Sequence, residues 1–137
     1  MKDNQYTQFF DTPTIAVIGA SRNPGKYGNM IYVGLKKLGY DVVPVNPFAD
    51  FIDGDISHKD LSQLDPKSTA LVLVTHRNDT DKTMQEAIEM GFSQFWVQTS
   101  CDTPSTPIFA ENRELNVIYQ ACILIIMKRK EKMKLGL

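Results

Sequence analysis

Short apolar runs alternate with longer segments of helical spacing along most of the chain. The runs are rich in β-branched residues and have few polar interruptions, a pattern typical of strands buried on both faces of a sheet. The strands predicted from these runs are 14–18, 41–45, 70–74, 94–97 and the weaker 116–119. The helices predicted around them are 27–38, 59–64, 80–90, 106–113 and 121–132. Gly39 and Gly91 lie just beyond two of these helices, where glycine commonly caps a C-terminus.

The alternation of strands and helices, with connections of this length, predicts parallel strands joined by right-handed crossovers. The expected fold is therefore α/β, a Rossmann-like three-layer sandwich around a five-stranded, mostly parallel sheet. In such sheets ligands bind beyond the carboxyl ends of the strands, at the point where the strand order reverses. A site is accordingly expected in the loops that follow Ile18, Val45, Val74 and Val97.

Two segments do not fit this alternation. Residues 1–13 are a mostly polar leader with three aromatic side chains, and they either pack as a short element or stay loose. Residues 48–55 are irregular, with a turn predicted at Asp53–Gly54. The predicted organisation is thus a leader over 1–13 followed by one domain over 14–137.

The composition restricts the class of protein. The chain has 137 residues, 42% of them apolar and 23% charged, as in one globular domain. Its net charge of −1 offers no electrostatic basis for binding nucleic acid or a membrane surface, so any phosphate must be bound by a local group of residues. There are two cysteines, no secretory signal pattern and no apolar run near the roughly 20 residues that span a bilayer. The sequence therefore predicts a reduced, cytoplasmic protein.

The loop after the first predicted strand is the most informative segment. Residues 19–29 join a buried strand to a helix and contain three glycines, one serine and two cations. Glycines let backbone N–H groups approach a phosphate closely, and the N-terminus of the following helix adds partial positive charge. Ser21 is suited to donate a hydrogen bond, and Arg22 and Lys26 are suited to neutralise charge. The alternative is a turn that only connects strand to helix, but the position and the cations favour phosphate binding.

Two common nucleotide-binding patterns are absent from this loop. The Walker A pattern fails because Gly19 and Gly25 are one residue too far apart, and GxGxxG fails because Ser21 replaces its second glycine. An NAD site also has an acidic residue at the end of the second strand, where this chain has Asn46–Pro47. NAD is therefore disfavoured, whereas NADP stays open.

Three motifs, in this order, carry a resemblance to a known family. They are Gly19-Ala20-Ser21, Gly39-Tyr40-Asp41-Val42-Val43-Pro44-Val45-Asn46-Pro47 and Trp96-Val97-Gln98. Over residues 14–127 the chain resembles the stand-alone CoA-binding domain proteins, which are related to the CoA-binding domain of succinyl-CoA synthetase and acyl-CoA synthetases. The resemblance implies that residues 14–137 are a CoA-binding domain and that the ligand is coenzyme A or an acyl-CoA.

The resemblance also implies a role for each site residue. The residues implied to hold the CoA phosphates are Gly19, Ala20, Ser21, Lys26 and Gly28. Those implied to contact the nucleotide are Asn46 and Pro47, at the adenosine, and Val74, Thr75, His76 and Arg77, in a loop over it. Gln98 is implied to lie near the pantetheine arm. The chain departs from the family at 99–102, where a glycine is expected soon after Gln98, and in the polar ending of the third strand.

Few other features suggest chemistry. His76 is a candidate general base at the end of a central strand, but a locally bonded or exposed histidine is the favoured interpretation. Cys122 begins the last helix, where a helix N-terminus can activate a thiol, although we favour a buried structural residue. Cys101 lies at the ligand end of the sheet, which suits a mixed disulfide with CoA, but an incidental surface thiol is favoured. The basic residues 128–134 are predicted to complement the dipole of the last helix rather than to bind an acidic partner.

Two classes of function stay open at this point. The first, which we favour, is a non-catalytic module that binds CoA or an acyl-CoA and serves as a sensor or regulator for an acyl-CoA-handling protein partner. The second is a small NADP-dependent oxidoreductase or another nucleotide-using enzyme on the same fold. The sequence carries no recognisable catalytic set and no cluster of metal ligands, which favours the first class.

Overall fold

Among the residues that the structure describes, five strands form a central sheet and two form a separate hairpin. The structure, a computed structural model, describes residues 2–134 and 136. Its strands are β1 (Thr14–Ile18), β2 (Val42–Val45), β3 (Phe51–Ile52), β4 (Asp55–Ile56), β5 (Thr69–Leu73), β6 (Gln94–Val97) and β7 (Asn116–Ile118). Its helices are α1 (Lys2–Phe10), α2 (Tyr27–Lys37), α3 (Arg77–Glu89), α4 (Thr106–Ala110) and α5 (Ile123–Lys134). None of these described helices is long and apolar enough to cross a bilayer.

The strands of the central sheet are all parallel and have the order β2-β1-β5-β6-β7. From β1 the chain moves to one side to form β2 and then crosses to the other side to form β5, so the strand order reverses between β1 and β5. Ile18, the last residue of β1, is level with Val45 of β2 and Leu73 of β5. The carboxyl ends of these strands therefore open together, at the point where doubly wound folds bind ligands. The predicted Rossmann-like α/β fold is confirmed.

Both faces of the sheet are covered by helices, which gives the fold its three layers. The face that carries α1, α2 and α5 buries large side chains that include Phe9, Ile31, Tyr32, Leu35, Trp96 and Ile123. The opposite face, with α3, buries a second set that includes Leu71, Leu73, Met84, Phe92 and Phe95. Successive residues of β5 alternate between the two cores, with Val72 in the first and its neighbours in the second. Because β5 is buried on both faces, its sequence is a continuous apolar run.

The aromatic leader folds as helix α1 and packs on the sheet. The rings of Tyr6, Phe9 and Phe10 surround Trp96, with centroids 5.4, 5.3 and 6.0 Å from that of the tryptophan. Trp96 Nε1 donates a 2.8 Å hydrogen bond to the carbonyl of Ala121, so its polar atom is satisfied as well. Of the two alternatives that the sequence left open for this segment, the structure shows the packed one. The division of the chain between residues 13 and 14 stays a prediction.

The helix predicted over residues 59–64 is wrong, because this segment forms bends and turns. The Asp60 side chain accepts hydrogen bonds from the backbone N–H and the hydroxyl of Ser62, at 2.8 and 2.5 Å. Such a local side-chain bond competes with helical backbone pairing. Pro66 follows shortly afterwards and cannot donate to a helical hydrogen bond.

The irregular stretch after β2 contains the β3–β4 hairpin. Asp53 and Gly54 have φ angles of 50° and 82°, as a two-residue hairpin turn requires, so the turn predicted there is confirmed. Lys36 of α2 lies 3.2 Å from the Asp53 carboxylate and 2.8 Å from that of Asp55. These ion pairs hold the hairpin against the helix.

Candidate ligand-binding site

A cleft of about 1020 Å³ opens at the carboxyl ends of the strands, above the reversal point between β1 and β5. Residues from the loops after β1, β2, β5 and β6 line it. These are the four loops that the strand pattern indicated. The cleft has the size of pockets that hold small molecules and cofactors.

The loop after β1 owes its path to two glycines. Gly19 has a φ of 90°, and a Cβ atom added there would lie 2.0 Å from the carbonyl oxygen of Val74. At Gly28, in the first turn of α2, an added Cβ would lie 1.9 Å from the carbonyl oxygen of Gly19. Both contacts are with backbone, which cannot rotate away as a side chain can. The glycines therefore let β1, β5 and α2 approach closely beneath the cleft.

Local side-chain hydrogen bonds fix the shape of this loop. Ser21 Oγ accepts from the N–H of Asn23 at 3.1 Å, and Asn23 Oδ1 accepts from the N–H of Gly25 at 3.0 Å. Asn29 Nδ2 donates to the carbonyl of Ser21 at 2.8 Å, which ties the loop to α2. A loop held in this way loses little conformational entropy when a ligand binds.

The N-terminus of α2 is open to an anion. Lys26 occupies the N-cap position, and no described side chain makes a capping hydrogen bond there. The first turn contains no acidic residue, so nothing in it opposes the partial positive charge of the helix end. The exposed Lys26 and the half-buried Ser21 line the cleft beside this end. Together these groups form a site suited to a phosphate.

Asn46, after β2, joins two of the cleft loops. Its Nδ2 donates to the carbonyl of Ala20 at 2.8 Å, and its Oδ1 accepts from the N–H of Phe48 at 2.7 Å. A carboxylate at this position could accept the second bond but could not donate the first. An asparagine at this position can therefore make both bonds, which the acidic residue of an NAD site could not. Asn46 and the exposed Pro47 both line the cleft.

The loop after β5 forms the opposite wall, and all four residues predicted there line the cleft: Val74, Thr75, His76 and Arg77. The backbone N–H of Val74 donates to the carbonyl of Ile18 at 2.9 Å, which extends the sheet pairing into the loop. His76 is exposed at the N-cap of α3. Arg77 Nε donates to the carbonyl of Ser100 at 3.1 Å, linking this loop to the one after β6.

The segment after Gln98 shows why a glycine is expected there. Ser100 has a φ of 72°, in the left-handed region that glycine adopts without strain and other residues rarely enter. This backbone conformation would suit the glycine that the resemblance leads us to expect in this segment, but Ser100 adopts it here.

Three of the predicted site residues lie outside the cleft lining. Ala20 is fully buried, and Arg22 is exposed. Gln98 is also fully buried. Its Nε2 donates to the hydroxyl of Tyr27 at 2.6 Å and to Cys122 Sγ at 3.1 Å, and its Oε1 accepts from the N–H of Ile123 at 3.0 Å. Gln98 thus supports α2 and the start of α5, and the ligand contacts implied for these three residues stay predictions.

Several lining residues were not predicted from the sequence. Phe48 directly follows Asn46–Pro47, so its proximity to a predicted pair was a usable signal. One face of α3 contributes Asp79, Thr83 and Glu86, and the C-cap residue Met90 follows at the same helical spacing, which also indicates a common face. Residues 59–62 line the cleft because His58 pairs with the end of β2, a tertiary contact without a sequence signal.

Burial raises the pKa of one thiol and one phenol at the β6 end of the cleft. Cys101 is 5% exposed, so the favoured surface position is wrong, and burial raises the pKa of its thiol. Burial is also the main cause of the raised pKa of Tyr27, with a smaller opposing contribution from the Gln98 hydrogen bond. Within residues 2–134 and 136 there is no group of three histidine, cysteine or acidic side chains that could hold a metal ion.

The sequence matches the CoA binding domain family over residues 13–128. Since this match covers most of the chain, the protein belongs to that family, and the predicted relationship is confirmed.

The chain is also similar to proteins of known sequence or structure. A conserved hypothetical protein from Pyrococcus furiosus is 32% identical, with a TM-score of 0.76 over 82% of this chain and 97% of its own. The uncharacterized protein YneT of Bacillus subtilis is 23% identical over 81% of this chain and 82% of its own length. Subunit alpha of the ADP-forming acetate–CoA ligase II of Pyrococcus furiosus is 31% identical over 61% of this chain, but the match spans only 18% of that subunit.

Proposed function

We propose that the protein binds coenzyme A or an acyl-CoA in the cleft, with the ligand's diphosphate at the N-terminus of α2. The observation that carries this proposal is the open helix end above Gly19 and Gly28, beside Ser21 and Lys26, in a chain of the CoA-binding family. Backbone N–H groups, a hydroxyl and an ammonium together offer a diphosphate several charge-assisted hydrogen bonds.

The two halves of CoA would extend to opposite sides of this anchor. β2 and β6 lie on either side of the β1–β5 pair, so their loops form the two ends of the cleft. The adenosine would lie at the β2 end, by Asn46 and Pro47. The pantetheine arm would lie at the β6 end, where Thr99, Ser100 and Cys101 line the cleft.

We further propose that the protein is not itself an enzyme but a sensor or regulator of a partner that handles acyl-CoA. Burial raises the pKa of the Cys101 thiol in the cleft, and the described residues include no group of three metal-ligand side chains. The matched segment is a small part of the acetate–CoA ligase subunit, so most of that subunit has no counterpart in the match. A binding role without the ligase chemistry fits both observations.

Calorimetric titration of the purified protein with CoA, acetyl-CoA, NAD and NADPH in parallel tests this proposal. Saturable binding of CoA species alone is the expected result, and the difference between CoA and acetyl-CoA would identify the preferred form. Binding of NADPH alone would refute the proposal and favour a small NADP-dependent oxidoreductase.

A further inference from the structure

We propose that the ring of Phe48 is the surface on which the purine base of the ligand stacks. This inference rests on the proposed function, and it assigns to Phe48 a preference for ligands that carry a purine base. Phe48 lines the cleft, yet 90% of its surface is exposed. Nearly all of the ring is therefore available to a ligand.

The backbone of Phe48 is held at a fixed place relative to the loop after β1. Its backbone N–H donates to Asn46 Oδ1 at 2.7 Å, and Asn46 Nδ2 donates to the carbonyl of Ala20 at 2.8 Å. One amide side chain thus links the backbone of Phe48 to the loop after β1. An aromatic side chain has only two rotatable bonds, so a ring on a fixed backbone is ordered at small entropic cost.

The topology of the sheet decides which half of the ligand reaches this ring. A ligand anchored by its diphosphate at α2 sends one half towards the β2 loop and the other towards the β6 loop. The β6 end offers the hydroxyl and thiol groups of Thr99, Ser100 and Cys101, whereas the β2 end offers a flat apolar ring. A flat heteroaromatic base is the part of the ligand that gains from such a ring, by offset stacking.

The test compares Phe48→Ala with Phe51→Ala, using calorimetry with CoA and with 4′-phosphopantetheine, which lacks the purine. Phe51 is a matched control because it is 60% exposed in the neighbouring hairpin and is not part of the cleft lining. We expect Phe48→Ala to weaken CoA binding by about 5- to 150-fold, the range for a lost base–aromatic stack. Phe51→Ala should bind CoA like the parent protein, and neither substitution should alter the affinity for 4′-phosphopantetheine.

A Phe48→Trp variant supplies a spectroscopic test of the same contact. The natural tryptophan, Trp96, is fully buried, so the added indole reports separately on the cleft. CoA and dephospho-CoA should quench its fluorescence, and 4′-phosphopantetheine should not.

Each result separates this inference from the proposed function. If the parent protein binds no CoA species, the proposed function fails and the stacking contact with it. If the parent binds CoA and Phe48→Ala binds it equally well, only the stacking contact is overturned. Equal losses in both alanine variants would indicate a disturbed hairpin and would also overturn it.

Discussion

Two regions line the cleft and are built in different ways. The loop after β1 has side-chain bonds of its own, but backbone sterics restrict it as well, since Gly19 and Gly28 each sit where a side chain would collide with main-chain atoms. The segment from Asn46 to Ser62 has no such collision, since a Cβ added at Gly54 would meet nothing within 4 Å. Besides its backbone pairing, exposed side-chain bonds hold it in place. Lys36 holds the hairpin through Asp53 and Asp55, and Lys59 Nζ donates to the carbonyl of Ala49 and to Asp50, both at 2.8 Å.

Because of this difference, substitutions in the two regions should differ in their effect on stability. In the loop after β1, a Cβ atom added at Gly19 or Gly28 would collide with main-chain atoms that cannot move aside. In the segment from Asn46 to Ser62, stability is distributed over several exposed side-chain bonds, each of which contributes little. We therefore expect substitutions in the first loop to have the larger effects, with Asn46, which bonds to both regions, between the extremes.

The largest effect is expected for Gly19→Ala. The added methyl group would overlap the Val74 carbonyl at a φ of 90°, so the variant should lose about 3 kcal/mol or more of unfolding free energy, or fail to fold. Gly25→Ala is the matched control, since its new Cβ would meet only Asn23 Oδ1, at 3.4 Å. Denaturant unfolding of the two variants checks this. Equal stability would show that the loop is not limited by backbone contact.

The second effect concerns binding rather than folding. The double substitution Ser21→Ala and Lys26→Ala should weaken CoA binding by on the order of 2–5 kcal/mol, if both groups bond to the phosphates. Lys37→Ala removes one exposed lysine from the far end of α2 and should leave the affinity unchanged. Calorimetry measures both variants. An unchanged affinity in a folded double variant would remove this loop from the site.

Asn46→Asp tests the link between the two regions. The carboxylate cannot donate to the Ala20 carbonyl, which lies 2.8 Å from the present amide nitrogen, and it would place negative charge beside the proposed adenosine site. We expect a loss of about 1–3 kcal/mol of unfolding free energy, together with weaker CoA binding. Denaturant unfolding and calorimetry check the two parts. Full stability in this variant would show that Asn46 does not join the loops.

The same contrast explains what the sequence could predict. The strands of the sheet, the loops at its carboxyl edge and the glycine positions follow from local patterns, and the structure confirms them. Gln98 shows what the sequence could not predict. Its motif indicated a ligand contact, whereas its hydrogen bonds to Tyr27 and Ile123 join chain segments that are far apart in sequence. Residues 59–62 show the same limit, because the contact of His58 with β2 brings them to the cleft. Contacts between segments far apart in the chain, whether through side chains or through backbone, leave no periodic pattern in the sequence.

The smallest effect is expected where the hairpin meets α2, and it should depend on pH. Two hydrogen bonds lower the pKa of Asp55 in the folded protein. The larger contribution comes from Lys36, at 2.8 Å, and the second from the Tyr32 hydroxyl, at 2.5 Å. A carboxyl group with a lowered folded-state pKa stabilises the fold above its unfolded pKa, and this contribution is lost as pH falls through the folded value. Asp55→Asn should therefore be slightly less stable than the parent protein at pH 7, and the difference should shrink towards pH 3.

Denaturant unfolding at these two pH values measures the change, with Glu114→Gln as a control for an exposed acid. The effect should stay small because the side chains of Lys36 and Asp55 are 40% and 38% exposed, so water and salt screen the pair. A difference that is the same at both pH values would show that the Asp55 charge does not hold the hairpin. A difference as large as that of Gly19→Ala would contradict the ranking of the two regions, because a solvent-exposed bond would then matter as much as a backbone collision.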